Sequence, residues 1–169
     1  MASGKTTFGS PLAKALGRRF VDLDEAIEAA AGKSTSAIFA DEGEACFRQL
    51  ESEALRTAAT GDTVVACGGG TPCHAGNMDF MLGAGFVVCL EASPDVTVRR
   101  LRLAPGKRPL VDALLDNPAA LSEKVAQMLD ARRPFYSRAH SRFCSDRLES
   151  KEEIDGSVDE FIRLFKNTF

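Results

Sequence analysis

Short apolar runs alternate with helical segments along the sequence, and this alternation constrains the fold more than any other feature. Four runs have strand character, at 20–24, 62–67, 86–90 and 142–145. The second and third are nearly continuous in apolar residues, which is typical of strands buried on both faces. The pattern predicts a single α/β domain over 1–169, with a parallel sheet covered by helices on both faces.

Periodicity, glycines and prolines indicate where the helices begin and end. Helices are predicted at 6–17, 26–31, 34–40, 44–59, 77–82, from 94 onward, 119–133 and 154–165. Gly43 is expected to separate the third helix from the fourth. Pro134 is expected to end the helix at 119–133, because proline lacks an N–H group. The segment 104–118 contains three prolines, and it is predicted to be a loop that could serve as a lid.

Composition and charge exclude several classes of function. A formal net charge of −3 gives no general reason to expect binding of nucleic acid or of an anionic membrane. No apolar run approaches the ~20 residues of a membrane span, and no signal peptide is found, so a cytoplasmic protein is expected. The five cysteines lack paired C-x-x-C spacing, which argues against a disulfide framework and a zinc site.

The chain opens with the last part of a phosphate-binding loop. Gly4, Lys5 and Thr6 match the end of G-x-x-x-x-G-K-[ST]. Backbone N–H groups here would face phosphate oxygens at the positive end of a helix. Lys5 would reach the β- and γ-phosphates, and the Thr6 hydroxyl would bind Mg²⁺. The strand and first glycine of such a motif do not precede Met1, so we expect a truncated sequence or a misassigned start.

Two pairs of side chains could complete a site. Asp22 and Asp24 end the first predicted strand, where ligands collect in open α/β sheets. They could bind Mg²⁺ through water and orient a substrate hydroxyl, or they could be solvated acids of a loop. Arg48 and Glu51 share one helix face. They could form an ordinary surface ion pair, or Glu51 could hold Arg48 so that its guanidinium grips a carboxylate.

A glycine run and several arginines are further candidates. Gly68, Gly69 and Gly70 follow a buried strand, and three glycines in succession suit a backbone that approaches a ligand, whereas a plain turn needs only one or two. The basic candidates are Arg100, Arg108 and Arg132. Arg108 lies in the proline-containing loop, which is either a solvated loop or a lid whose arginine neutralises charge on a transferring phosphoryl group.

Taken in order, the motifs G-K-T-T, D-x-D, F-R-x-x-E, G-G-G, R-P-L and R-x-P-x-Y resemble those of shikimate kinases, from Ser3 to about Tyr136. The resemblance implies a P-loop NTPase with a nucleoside-monophosphate-kinase-like three-layer α/β/α fold. Its parallel sheet would have five strands in the order 2-3-1-4-5, with the first strand missing from this chain. It also implies a substrate-binding region at about 24–60 and a lid at about 104–118.

The same resemblance implies phosphorylation of the shikimate 3-hydroxyl by ATP with Mg²⁺, on the route to chorismate and the aromatic amino acids, by a monomer. It places the nucleotide at Ser3, Gly4, Lys5, Thr6, Thr7, Arg100 and Arg108. It places shikimate at Asp24, Arg48, Gly68, Gly69, Gly70 and Arg132, and the metal at Thr6 and Asp22. Catalytic roles fall to Lys5, Asp24 and Arg108. Ala66 departs from the family, which often has a serine there near the metal.

Two alternatives remain open at this point. The chain could be a non-catalytic module that binds a nucleotide or shikimate, because the first strand is missing. It could also be another small-molecule P-loop kinase, such as a gluconate kinase, although the F-R-x-x-E and G-G-G motifs argue against that.

Overall fold

The computed structural model describes residues 2–103 and 109–168, without the side chains of 109 and 110. Its helices are α1 (Lys5–Ala15), α2 (Leu23–Ala31), α3 (Thr35–Ala58), α4 (Asn77–Ala84), α5 (Pro94–Leu103), α6 (Pro109–Asp112), α7 (Pro118–Tyr136) and α8 (Lys151–Phe165), with a 3₁₀ turn at Thr71–Cys73. The strands are β1 (Arg19–Asp22), β2 (Thr63–Ala66), β3 (Val88–Glu91) and β4 (Ser141–Cys144). This order confirms the predicted alternation of strands and helices.

The strands pair in parallel, as the alternation predicts. Strand β1 pairs with β2, so that Asp22 lies opposite Ala66. Strand β3 pairs with β4, so that Glu91 lies opposite Cys144. Within the described residues these are two separate two-stranded sheets. Because the pairs are parallel, the carboxyl ends of β1 and β2 meet at one edge, where the predicted site residues follow them.

A cavity of about 820 Å³ lies between the two sheets. Residues 63–67 line one side of it and residues 86–92 the other, and Phe8, Leu12 and Phe161 also contribute to the lining. In the described part of the chain, β2 and β3 each pair along one edge only. Backbone groups along the second edge of such strands cost free energy if they are buried without a partner.

Aromatic packing holds α1 in place. Phe8 of α1 stacks on Phe143 of β4 with ring centroids 5.3 Å apart, and it meets Phe161 of α8 edge-on at 5.4 Å. Leu12, Leu148 and Val158 belong to the same buried cluster. Aromatic pairs of this kind add about 0.5–1.5 kcal/mol each beyond the burial of their area. The cluster therefore fixes the helix that carries the G-K-T sequence.

The prediction that Pro134 ends its helix is wrong, because α7 continues to Tyr136. Pro134 lies within the last turn, so the helix loses a single backbone donor there. The turn is closed beyond the proline by Ser137, whose N–H donates to the Arg133 carbonyl at 2.9 Å. Arg132 and Tyr136 consequently lie one helical turn apart on the same face.

The prediction of a structureless segment at 104–118 is also wrong in part. Helix α6 lies within it, and Val111 is fully buried against Leu101 of α5 and Leu121 and Val125 of α7. Arg108, the predicted lid arginine, lies outside the described residues. The break at Gly43 is confirmed, since α3 is interrupted there by non-helical backbone with φ 81° and ψ 172°.

Candidate active site

The beginning of α1 has no side-chain cap. Gly4 precedes it with φ 77°, and its first turn contains no acidic residue. The first N–H groups of a helix lack intrahelical acceptors, so they are available to a phosphate. Any side chain at Gly4 would also collide with Leu148, because an added Cβ would lie 2.7 Å from Leu148 Cδ1. The positive φ therefore favours glycine here, and a larger residue would also displace the Leu148 side chain.

The structure brings the two predicted metal residues together. Thr6 Oγ1 donates to Asp22 Oδ2 at 2.5 Å, while Asp22 Oδ1 accepts from the backbone N–H of Asp24 at 3.0 Å. The described residues contain no group of three or more His, Cys, Asp or Glu side chains able to hold a metal. Two hard oxygen donors suit Mg²⁺, which keeps several waters and takes others of its ligands from phosphates.

Asp24 lies in a strongly charged environment at the start of α2, and not in β1 as predicted, because Asp22 caps the helix. Loss of hydration raises the pKa of Asp24, the like charges of Asp22 and Glu51 raise it further, and Lys5 opposes them. A carboxylate with a raised pKa is a better proton acceptor. Lys5 and Glu51 therefore lie close enough to Asp24 to affect its pKa.

Arg48 is held as a fork between two carboxylates. Its Nη1 donates to Glu51 Oε2 at 2.9 Å, and its Nη2 donates to Glu44 Oε1 at 3.0 Å. Its guanidinium carbon also lies 5.3 Å from the centre of the Phe47 ring. Glu51 is only 1% exposed, so the alternative of an ordinary surface ion pair is wrong. Burial lowers the pKa of Arg48, but the two carboxylates more than offset this and raise it.

The glycine run packs directly on these side chains. An added Cβ at Gly68 would lie 2.7 Å from Glu51 Oε1 and 3.6 Å from Asp24 Oδ1. An added Cβ at Gly70 would lie 2.7 Å from Arg48 Nη1. The glycines therefore let the backbone after β2 approach Asp24, Arg48 and Glu51 closely.

Tyr136 anchors α7 to the same backbone segment, a role that the motif analysis missed. Its hydroxyl donates to the Gly69 carbonyl at 2.6 Å. Burial raises the pKa of Tyr136, and the neighbouring Arg132 opposes that rise. Burial likewise raises the pKa of the Cys73 thiol, and both Arg132 and Arg48 oppose it. Arg48 and Arg132, the two arginines predicted to bind a carboxylate, therefore both lie close enough to the turn at Thr71–Cys73 to affect the pKa of Cys73.

Arg100 reaches the phosphate-binding loop from α5. Its Nε donates to Glu149 Oε1 at 3.0 Å, and its Nη2 donates to the Asp146 carbonyl at 3.2 Å. Its Nη1 is buried without a hydrogen-bond partner among the described residues, and it lies 3.8 Å from where a Cβ of Gly4 would stand. This donor without a partner therefore lies close to the loop at Gly4.

The remaining predicted residues fall at the same edge. Ser3 is 8% exposed and precedes the helix start, and Thr7 lies in its first turn. Ala66 is buried and faces Asp22 in the register of β1 and β2. No helix in the described ranges is long and apolar enough to cross a membrane.

The fold places this chain in the α/β class of P-loop proteins, and the uncapped start of α1 lies beside the cluster formed by Asp24, Arg48 and Glu51. A family model described as shikimate kinase matches residues 1–163. The shikimate kinase of Bacteroides fragilis is 38% identical over 165 residues, which cover 97% of this chain and 91% of that protein. The chain therefore belongs to the shikimate kinase family.

Solved structures of relatives agree with this assignment. A shikimate kinase from Bacteroides thetaiotaomicron superimposes with a TM-score of 0.92 at 38% identity, covering 98% of this chain and 94% of that one. A shikimate kinase from Acinetobacter baumannii in complex with shikimate superimposes with a TM-score of 0.85 at 31% identity, covering 100% of this chain and 90% of that one.

Proposed function

We propose that this chain transfers the γ-phosphoryl group of ATP to the 3-hydroxyl of shikimate, giving shikimate 3-phosphate and ADP. The observation that carries the proposal is the placement of Asp24 and the Arg48–Glu51 pair against one glycine run, beside the helix start that carries Lys5. Such a site would offer a cationic fork, a proton acceptor and a phosphate-binding helix start close to one another.

Shikimate is a small carboxylate with several hydroxyl groups, and the site contains a partner for each kind of group. Arg48 presents a guanidinium already oriented by Glu44 and Glu51, and Arg132 supplies a second cation. Oriented guanidinium groups bind carboxylates through two parallel hydrogen bonds. Asp24 would accept the proton of the reacting hydroxyl, which its raised pKa favours. The family relative solved with shikimate supports this substrate.

ATP would bind at the beginning of α1. The N–H groups of residues 3–7 and the Lys5 ammonium would hold the phosphates, and Arg100 would lie along the nucleotide. Thr6 and Asp22 would hold Mg²⁺, which neutralises phosphate charge when bound. Arg108 would add a further cation from the lid. Phosphoryl transfer needs mainly positioning and charge stabilisation, which these groups supply.

A coupled ADP-release assay tests the proposal against both alternatives. We expect ADP release to require shikimate and to be absent with gluconate or AMP as acceptor. Equal rates with gluconate would indicate another small-molecule kinase. Binding of shikimate by calorimetry without any ADP release would indicate a non-catalytic module and contradict the proposal.

A further inference from the structure

Three polar side chains behind the glycine run are almost completely inaccessible to solvent. Thr71 and Asn77 are 0% exposed, and Glu51 is 1% exposed. Burying a polar group costs free energy unless it finds hydrogen-bond partners. In this structure all three have partners, and we call the set formed by Glu51, Thr71, Asn77 and Ser52 the buried relay.

Thr71 and Arg48 divide the two oxygens of Glu51 between them. Thr71 Oγ1 donates to Glu51 Oε1 at 2.5 Å, whereas Glu51 Oε2 accepts from Arg48 Nη1 at 2.9 Å. The carboxylate therefore cannot turn without losing one of these bonds. Removing the Thr71 hydroxyl would leave one oxygen of a buried carboxylate unsatisfied and would free Glu51 to rotate away from Arg48.

Asn77 ties the turn that carries Thr71 to helix α3. Its Nδ2 donates to the Thr71 carbonyl at 2.9 Å and to Ser52 Oγ at 3.0 Å. Its Oδ1 accepts from Arg56 Nη1 at 3.3 Å. Ser52 Oγ in turn donates to the Arg48 carbonyl at 2.9 Å. The relay thus joins the glycine run to the helix that carries the guanidinium fork.

We propose that Thr71 and Asn77 are positioning residues that set the orientation of Arg48 toward the substrate carboxylate, acting through Glu51 and Ser52. The inference rests on the proposed function and deepens it, since it assigns carboxylate selectivity to residues that do not touch the substrate. Recognition through two parallel hydrogen bonds needs a guanidinium held in one plane, and a small rotation removes one of them.

The test uses Thr71→Val, which keeps the shape and removes the hydroxyl, with Thr71→Ser as the matched variant that keeps the donor. For each protein we would measure kcat and KM for shikimate and for ATP. We would also compare kcat/KM for shikimate with that for its analogue in which the carboxylate is reduced to a primary alcohol. Wild-type turnover of shikimate is measured first, because its absence contradicts the proposed function itself.

We expect Thr71→Val to raise the KM for shikimate about tenfold, from the loss of one hydrogen bond to a buried charge, while the KM for ATP stays within about twofold. The ratio of kcat/KM for shikimate to kcat/KM for the alcohol should fall by a similar factor. The Thr71→Ser protein should have the wild-type KM for shikimate and the wild-type ratio. An unchanged preference, or a KM for ATP that rises together with that for shikimate, would overturn the inference.

A second variant keeps the test decisive if Thr71→Val does not fold. Ser52→Ala removes only one oxygen from the relay, yet it breaks the bonds to Asn77 and to the Arg48 carbonyl. We expect a smaller change in the same direction, with the KM for shikimate rising about threefold and the KM for ATP unchanged. Wild-type selectivity in a folded Ser52→Ala protein would contradict the inference.

Discussion

Replacing Gly70 by alanine is a sharp probe of the carboxylate-binding fork. The backbone at Gly70 has φ −90° and ψ −20°, which alanine adopts without strain. The added methyl group, however, would lie 2.7 Å from Arg48 Nη1 and 2.9 Å from Nη2. The substitution therefore acts through the guanidinium and leaves the local backbone conformation allowed.

The size of the effect follows from these distances. Carbon atoms pack at about 3.5–4.0 Å, so the guanidinium must move by roughly 1 Å. Arg48 cannot move freely, because Glu51 and Glu44 hold it through hydrogen bonds. A displacement of about 1 Å in a positioning group costs about 10²-fold in rate. We therefore expect kcat/KM for shikimate to fall by about 10²-fold, with the KM for ATP nearly unchanged.

Steady-state kinetics with a coupled ADP assay would measure this change, and Gly83→Ala is the matched control. Gly83 lies within α4, and an added Cβ there meets nothing within 4 Å. The control should keep wild-type kinetics and gain about 0.5–1 kcal/mol in the free energy of unfolding. If Gly70→Ala kept wild-type kcat/KM for shikimate, Arg48 would not be the carboxylate-binding group.

Three further outcomes are expected. Arg132→Ala should raise the KM for shikimate about tenfold or more. The control is Arg133→Ala, which should leave this KM unchanged, because Arg133 is exposed and paired with Asp130. Equal KM values for the two variants would argue against binding of shikimate by Arg132. Asp24→Asn should abolish most turnover yet raise Tm at pH 7. Because the pKa of Asp24 is raised in the folded chain, the stability that this group contributes is present below its ordinary pKa of 3.8 and is lost as the pH rises through the folded-state pKa. An unchanged or lower Tm in thermal unfolding would contradict the crowding of negative charge around Asp24. The cavity between the sheets should bind the dye ANS. Along β2 and β3, the alternate amides that point to the unpaired edge should exchange faster than those that donate within the two ladders. Equal, strong protection of all amides of these strands in hydrogen exchange would contradict the two-sheet arrangement.

Local sequence patterns were sufficient to predict the first helix, although one residue later than its observed start at Lys5, and to place Arg48 and Glu51 on one helix face. They also predicted the alternation of strands and helices, because each element has its own periodicity. The buried relay and the Tyr136 bond could not be found in this way. Thr71 is 20 positions from Glu51, and Tyr136 is 67 positions from Gly69, so only the folded chain joins them. The sequence offered only two indications of these contacts. They are the hydroxyl of Thr71 directly after the glycine run and Tyr136 one helical turn after Arg132.

The errors in the lid region and in α7 have a common physical cause. Prolines in 104–118 and at Pro134 were interpreted as helix breakers, but tertiary packing outweighs such local preferences. Val111 is buried against α5 and α7, which stabilises the short helix α6. Asp24 was placed at a strand end, whereas capping by Asp22 begins the helix at Leu23.

Phosphoryl transfer to one hydroxyl of shikimate would be detected by ³¹P and ¹H NMR of the products formed when this chain is incubated with ATP, Mg²⁺ and shikimate. We expect one new phosphomonoester whose phosphorus couples to the proton on carbon 3, formed in equal amount with ADP. ADP accompanied only by inorganic phosphate, or no turnover while shikimate binds, would contradict shikimate phosphorylation by this chain.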